Sequence, residues 1–153
     1  MSDGGTRTTN VSRLFRIGVD TVVRDAMARD VITVSASDTC HRALSLMHAA
    51  GVGRLPVLDR QRLVGIITEG DIHRRVPAGL SPASVSVAGI MTYAPVSVAP
   101  TLPLPDAARL LLDRKIVGVP VVDHGGVIGM LTRRDALATL LGPRKSGVRP
   151  HGV

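Results

Sequence analysis

The chain contains itself twice. Displaced by 64 residues, the stretch 23–71 aligns on 87–135 without a gap. Val23/Val87, Met27/Met91, Val34/Val98, Ala43/Ala107, Leu46/Leu110, Pro56/Pro120, Val57/Val121, Asp59/Asp123, Gly65/Gly129, Thr68/Thr132 and Asp71/Asp135 are identical pairs. One offset maintained through turns, strands and helices marks a duplication. A unit of this length cannot cover both faces of a small sheet, so two copies must share the burial.

Each copy has the same order of elements. A lead-in turn over 23–27 or 87–91 ends in Met. Brief β-branched strands are predicted at 32–34 and 96–98. Next comes a helix, capped by Thr39 in the first copy, with Cys40, Ala43, Leu44, Met47 and Ala50 at three- and four-residue spacing. In the second copy Pro103 and Pro105 fit only the start of that helix, which is predicted over 106–115. Two strands follow, at 55–58 and 63–68 in one copy and 119–122 and 127–132 in the other. The links Asp59-Arg60-Gln61-Arg62 and Asp123-His124-Gly125-Gly126 have hairpin-turn chemistry. A last helix is predicted from Glu69 or Arg133.

The fold class expected is therefore α/β (α+β): two β-α-β-β-α repeats packed sheet to sheet with pseudo-two-fold symmetry. The organisation reads as an N-terminal tail 1–21, repeat 1 over 22–76, a Pro/Gly/Ser linker 77–86, repeat 2 over 87–141, and a basic, disordered tail 142–153.

Composition narrows the functions available. Of 153 residues 44% are hydrophobic, yet Phe15 and Tyr93 are the only aromatics, which argues against base stacking on aromatic platforms. The net charge of +7 is scattered in short clusters rather than along one stripe, which argues against nucleic acid. The single cysteine, Cys40, reads as a small buried apolar residue. No apolar run is long enough to span a bilayer and no signal-peptide core precedes residue 10, so a cytoplasmic location is expected. The five histidines have no metal-ligand spacing, and neither a nucleophile elbow nor a P-loop occurs. The expectation is no metal, no catalytic residue and no enzyme.

The segments Leu55-Pro56-Val57-Leu58-Asp59 with Gly65-Ile66-Ile67-Thr68-Glu69-Gly70-Asp71, and Val119-Pro120-Val121-Val122-Asp123 with Gly129-Met130-Leu131-Thr132-Arg133-Arg134-Asp135, resemble the cystathionine β-synthase (CBS) domain. Two in tandem resemble a Bateman module, over about residues 22–141. A Thr closing a strand can simply cap the next helix, with Asp favoured in its first turn. The functional alternative is that the carboxylate accepts both hydroxyls of a ribose while helix amides face an anion.

The resemblance implies the second role, with Asp71, Asp135, Thr68 and Thr132 as ribose-binding residues. It implies adenine between Thr33, Val34, Leu55 and Pro56 in one site, and between Ser97, Val98, Val119 and Pro120 in the other. Arg54 matches a phosphate-contacting position of nucleotide-binding relatives, and its counterpart is Gly118. Arg133 and Arg134 could supply cations to the Asp135 site, whereas Glu69 would repel a phosphate. The implied function is a stand-alone regulatory module binding an adenosine ligand in the cleft between repeats: AMP or ADP first, then ATP, then S-adenosylmethionine. No cofactor would be obligatory. A homodimer and a separate effector protein are implied partners. The alternative is a structural or protein-interaction module with vestigial nucleotide clefts.

Overall fold

A computed structural model describes residues 20–93 and 95–142. The expected tails, 1–21 and 142–153, lie outside the described residues except at positions 20, 21 and 142. In chain order the elements are α1 (Val23–Ala26), β1 (Val34–Ser35), α2 (Cys40–Ala50), β2 (Arg54–Asp59), β3 (Arg62–Thr68), α3 (Glu69–Arg75), β4 (Thr92–Tyr93), α4 (Leu104–Asp113), β5 (Gly118–Asp123), β6 (Gly126–Thr132) and α5 (Arg133–Leu140). Single 3₁₀ turns occupy Pro82–Ser84 and Val87–Gly89. The mixed α+β class is the one expected.

Local chemistry accounts for the helix ends. Thr39 accepts a hydrogen bond from the Arg42 amide to open α2, and Gly51, at φ 68°, closes it by donating to the carbonyls of Met47 and His48. A left-handed residue at that position suits Gly because no Cβ opposes it. Pro103 sits at the cap of α4 and supplies no amide that the helix needs.

Two compact units form, and neither is one sequence repeat. Among the described residues, one comprises 29–97 with 120–129, the other 20–28, 98–119 and 130–142. The first holds the body of repeat 1, the lead-in of repeat 2 and most of the second hairpin, and the second joins the lead-in of repeat 1 to the helices of repeat 2. The Val87 amide donates to Asp38 O at 2.8 Å and the Ala88 amide to Ala36 O at 2.9 Å, while Cys40 donates to Val85 O at 2.9 Å. Shifted by 64 residues, the same bonds recur in the other unit: Val23 to Leu102 O, Arg24 to Pro100 O and Leu104 to Thr21 O.

In the 29–97 unit a four-stranded sheet runs β1-β2-β3-β4. β1 is parallel to β2, with Val34 opposite Val57, and α2 makes the crossover. β2 and β3 form an antiparallel hairpin, Arg54 opposite Thr68 at one end and Asp59 opposite Arg62 at the other. β4, which follows the second lead-in, pairs with β3 through Gly65–Tyr93 and Ile66–Thr92. The core gathers Val34, Cys40, Ala43, Met47, Leu55, Val57, Ile67 and Ile72 with Val87, Ile90 and Met91 of the lead-in. Burying an aliphatic side chain of this size contributes about 1.5–3 kcal/mol, so the exchanged segment is held by packing as well as by its backbone bonds.

In the other unit α1 touches α4 and α5, and Val23, Leu104, Ala107, Leu111 and Leu131 have no exposed surface. β5 and β6 pair as the counterpart of the β2–β3 hairpin, and residues 120–129 of that hairpin belong to the 29–97 unit.

Two strand expectations need correction. The first short strand covers Val34–Ser35 rather than 32–34, and no strand forms over 96–98 beyond a single bridging residue at Val98. Pro95 and Pro100 flank that stretch and offer no amide to a ladder. The strand that does form, Thr92–Tyr93, lies earlier and takes the edge of β3.

Candidate functional site

The strand-to-helix junction from β3 to α3 places the first candidate set in one unit. Thr68 Oγ1 accepts from the Asp71 amide at 3.0 Å. Asp71 is 7% exposed, the one charged residue among the buried ones that the structure describes. Burying a carboxylate requires a compensating partner, and Arg74 Nη2 donates to Asp71 Oδ1 at 2.6 Å. Arg74 was absent from the sequence-derived candidates. The Asp-x-x-Arg spacing was the available signal, since i and i+3 share a helix face. Asp71 Oδ2 takes no hydrogen bond from the described residues, and Oδ1 retains a second lone pair.

Arg54 stands directly across the hairpin from Thr68. In an antiparallel pair such partners project on the same face, so the cation and the capping hydroxyl share one end of the sheet. Burial pulls the Arg54 guanidinium down from its ordinary value, and an arginine nevertheless stays protonated. Among the described residues it forms no ion pair. Thr33 precedes β1 and is half-buried, Val34 and Leu55 are buried, and so is Pro56. β1 is the edge of the sheet, so any reading of a base here falls to backbone groups and the apolar surface rather than to polar side chains.

The expectation that free helix amides face an anion is not met at most positions. The Glu69 amide donates to Gly53 O at 3.0 Å and the Asp71 amide to Thr68. The Arg133 amide donates to Val117 O at 2.9 Å and the Asp135 amide to Thr132 Oγ1 at 3.1 Å. These donors are consumed by the chain itself.

Glu69, expected to oppose a phosphate, is held by two histidines. Its Oε1 lies 3.1 Å from His48 Nε2 and 3.6 Å from His73 Nε2. The His48 hydrogen bond, and then His73, hold its carboxyl below the usual carboxylate range.

The second junction differs in chemistry. Thr132 and Asp135 form a reciprocal capping box, Asp135 Oδ2 accepting from the Thr132 amide at 3.1 Å. Arg133 donates from Nε to Ile116 O at 2.8 Å and from Nη2 to Leu111 O at 3.3 Å. It thereby ties the last turn of α4 and the segment after it. Arg134 is exposed, and Gly118, the counterpart of Arg54, is buried. Val98, Val119, Thr132, Arg133, Arg134 and Asp135 belong to one unit, whereas Ser97, which is exposed, and Pro120, which is buried, belong to the other.

Cys40 is fully buried, as expected, with Sγ donating to Ser86 O at 3.6 Å. Burial pushes its thiol up. Among the described residues no cluster of three or more His, Cys, Asp or Glu could hold a metal ion, and no helix is long and apolar enough to cross a membrane.

Two such junctions on a gapless internal duplication define a tandem-repeat fold, and comparison with known proteins gives the family. The CBS domain profile matches residues 23–78 and 87–142. The chain belongs to the CBS domain family, with two domains in tandem. It is 31% identical over 125 residues to the CBS domain-containing protein YhcV of Bacillus subtilis, covering 82% of this chain and 89% of that one. Among solved structures it is similar to CBSX2 in complex with AMP, at 32% identity and TM-score 0.65, covering 76% of this chain and 93% of that one. It is also similar to the CBS domain pair of protein MJ0100 in complex with 5′-methylthioadenosine and S-adenosyl-L-methionine, at 28% identity and TM-score 0.67, covering 75% and 91%.

Proposed function

We propose that this chain is a non-catalytic CBS-pair module that binds an adenosine-containing ligand and signals by a change in conformation or self-association. One observation carries the reading. Arg54, a partly desolvated cation without an ion-pair partner among the described residues, stands opposite Thr68, whose helix bears the nearly buried Asp71. A ribose diol on Asp71 and a phosphate on Arg54 would use both groups at once. Ligands bound by CBSX2 and by the MJ0100 pair support adenosine as the shared part. AMP or ADP comes first, since Arg54 favours a phosphate, then ATP, then S-adenosylmethionine; with AMP or ADP the signal would be cellular energy status. A cytoplasmic homodimer acting on a separate effector protein is part of the same reading.

A ligand acts by favouring one arrangement over another, to the extent of its differential affinity. The test is a thermal-shift screen of protein freed of co-purified nucleotide against AMP, ADP, ATP and S-adenosylmethionine. At about 100 times its dissociation constant a ligand adds about 2.7 kcal/mol. The reading predicts a clear upward shift that Asp71→Ala removes.

A second reading, an interaction module with vestigial clefts, is favoured by one observation. Both junction carboxylates already have partners in the chain, Asp71 with Arg74 and Asp135 with the Thr132 amide. No shift with any of the four ligands would favour it.

A further inference from the structure

We infer that the two hairpin turns, 59–62 and 123–126, frame a separate binding site for a small organic phosphate. Both turns belong to the 29–97/120–129 unit. They border a cavity of about 680 Å³, within the roughly 300–1,000 Å³ of small-molecule sites. Its lining divides by chemistry. Leu63, Pro95 and Val122 are half-buried and apolar, and Arg60, Arg62 and His124 are exposed donors.

Among the described residues no carboxylate lines this cavity. Asp123 Oδ1 lies 3.5 Å from His124 Nε2, and Asp59 lines a different hollow with Met91 and Tyr93. Asp59 is the strand partner of Arg62 across the turn, yet among the described residues neither Arg60 nor Arg62 forms an ion pair. Two guanidinium groups on one turn repel each other unless an anion lies between them. A guanidinium fork matches phosphate oxygens bidentately. The apolar wall gives room for more than inorganic phosphate, so the class is a phosphoryl group carried on an organic body.

Backbone strain points the same way. Arg60 and Gln61 both take left-handed angles, φ 49° and 68°, at positions where the second hairpin has His124 and Gly125. This turn type strongly favours Asn-Gly or Gly-Gly. Placing Arg and Gln there costs strain that glycine would relieve, and strain of that kind clusters at ligand-holding positions.

The site is independent of the one built on Asp71. Arg54 and Thr68 mark one end of the β2–β3 hairpin and Asp59 and Arg62 the other, a separation of roughly 17 Å at about 3.3 Å per residue.

The experiment is a titration of the full chain with phenyl phosphate in 150 mM sodium chloride (about one Debye length of 8 Å), followed by amide chemical shifts in ¹H–¹⁵N spectra. Saturable shifts in the two hairpins are expected. Binding should weaken at least tenfold in Arg60→Gln/Arg62→Gln and stay unchanged in Asp71→Asn. Arg60→Gly should raise the melting temperature while weakening binding, which separates loss of the site from loss of the fold. The inference is overturned by shifts that never saturate, by equal affinity in the double variant, or by loss of binding in Asp71→Asn alone.

Discussion

Arg74 clamps Asp71, its Nη2 donating to Oδ1 at 2.6 Å from one turn along the same helix. The duplicated position has no such clamp, because Ala138 stands where Arg74 would be, and Asp135 turns back on its own cap. The two halves thus hold equivalent carboxylates by different means. An oxygen shared with an exposed arginine can be handed to a ribose hydroxyl more readily than one held in a capping box. The first site is therefore the stronger candidate for occupancy.

Arg74 is 70% exposed, and ion pairs with so much solvent contribute little. Arg74→Ala is expected to cost less than about 1 kcal/mol by urea denaturation. A loss of several kcal/mol would mean that Asp71 depends on this one cation for burial.

Gly65 is where the exchanged lead-in of repeat 2 meets the sheet of repeat 1. A Cβ there would stand 2.5 Å from Met91 Sδ and 2.8 Å from Thr92 O. The methionine can shift, but the carbonyl belongs to the backbone of β4. Gly65→Ala is expected to destabilise by about 1–3 kcal/mol, the usual cost of overpacking. A neutral result would show that β4 does not seat tightly on β3.

These cases indicate what was readable in the amino-acid order. The helix cap at Thr39, the Thr68 and Thr132 caps, the hairpins and the buried Cys40 all follow from residues within a few positions of one another, and each was anticipated. The exchange of lead-ins was not, because bonds such as Val87 to Asp38 O join segments 49 residues apart and periodicity within a segment carries no trace of them. The strand at Thr92–Tyr93 escaped for the same reason: only the open edge of β3 makes that pair extended. The role of Arg133 was equally hidden. Its Arg133-Arg134 context suggested an anion, but the carbonyls at Leu111 and Ile116 are placed there by tertiary packing.

Glu69 provides a pH prediction. Its carboxyl is held below the ordinary range by the His48 hydrogen bond. A lowered folded pKa means a contribution to stability that is fully present above the unfolded value, about pH 4.3, and lost as pH falls through the lower folded value. Wild type should melt above Glu69→Gln at neutral pH, with the gap closing in acid. A gap that widens between pH 5 and 3 would contradict the assignment.

Self-association is testable through the helices of the 98–119/130–142 unit. Leu112 on α4 and Leu137 on α5 are 63% and 56% exposed, and Leu141 beyond α5 is 81% exposed. A homodimer through these helices would bury them. Leu137→Glu is then expected to convert a dimer to a monomer in analytical ultracentrifugation without lowering the melting temperature of the monomer. A wild-type chain that sediments as a monomer at high micromolar concentration would dispose of this interface.

The most direct measurement is isothermal titration calorimetry of AMP against the wild-type chain, Asp71→Asn and Arg54→Gln. The account predicts saturable binding by the wild type. It predicts a loss of at least tenfold in each variant, as expected when a hydrogen bond to a charged group worth about 1.5–3 kcal/mol is removed. Undiminished AMP affinity in both variants would contradict it, placing the nucleotide away from the Arg54–Thr68–Asp71 junction.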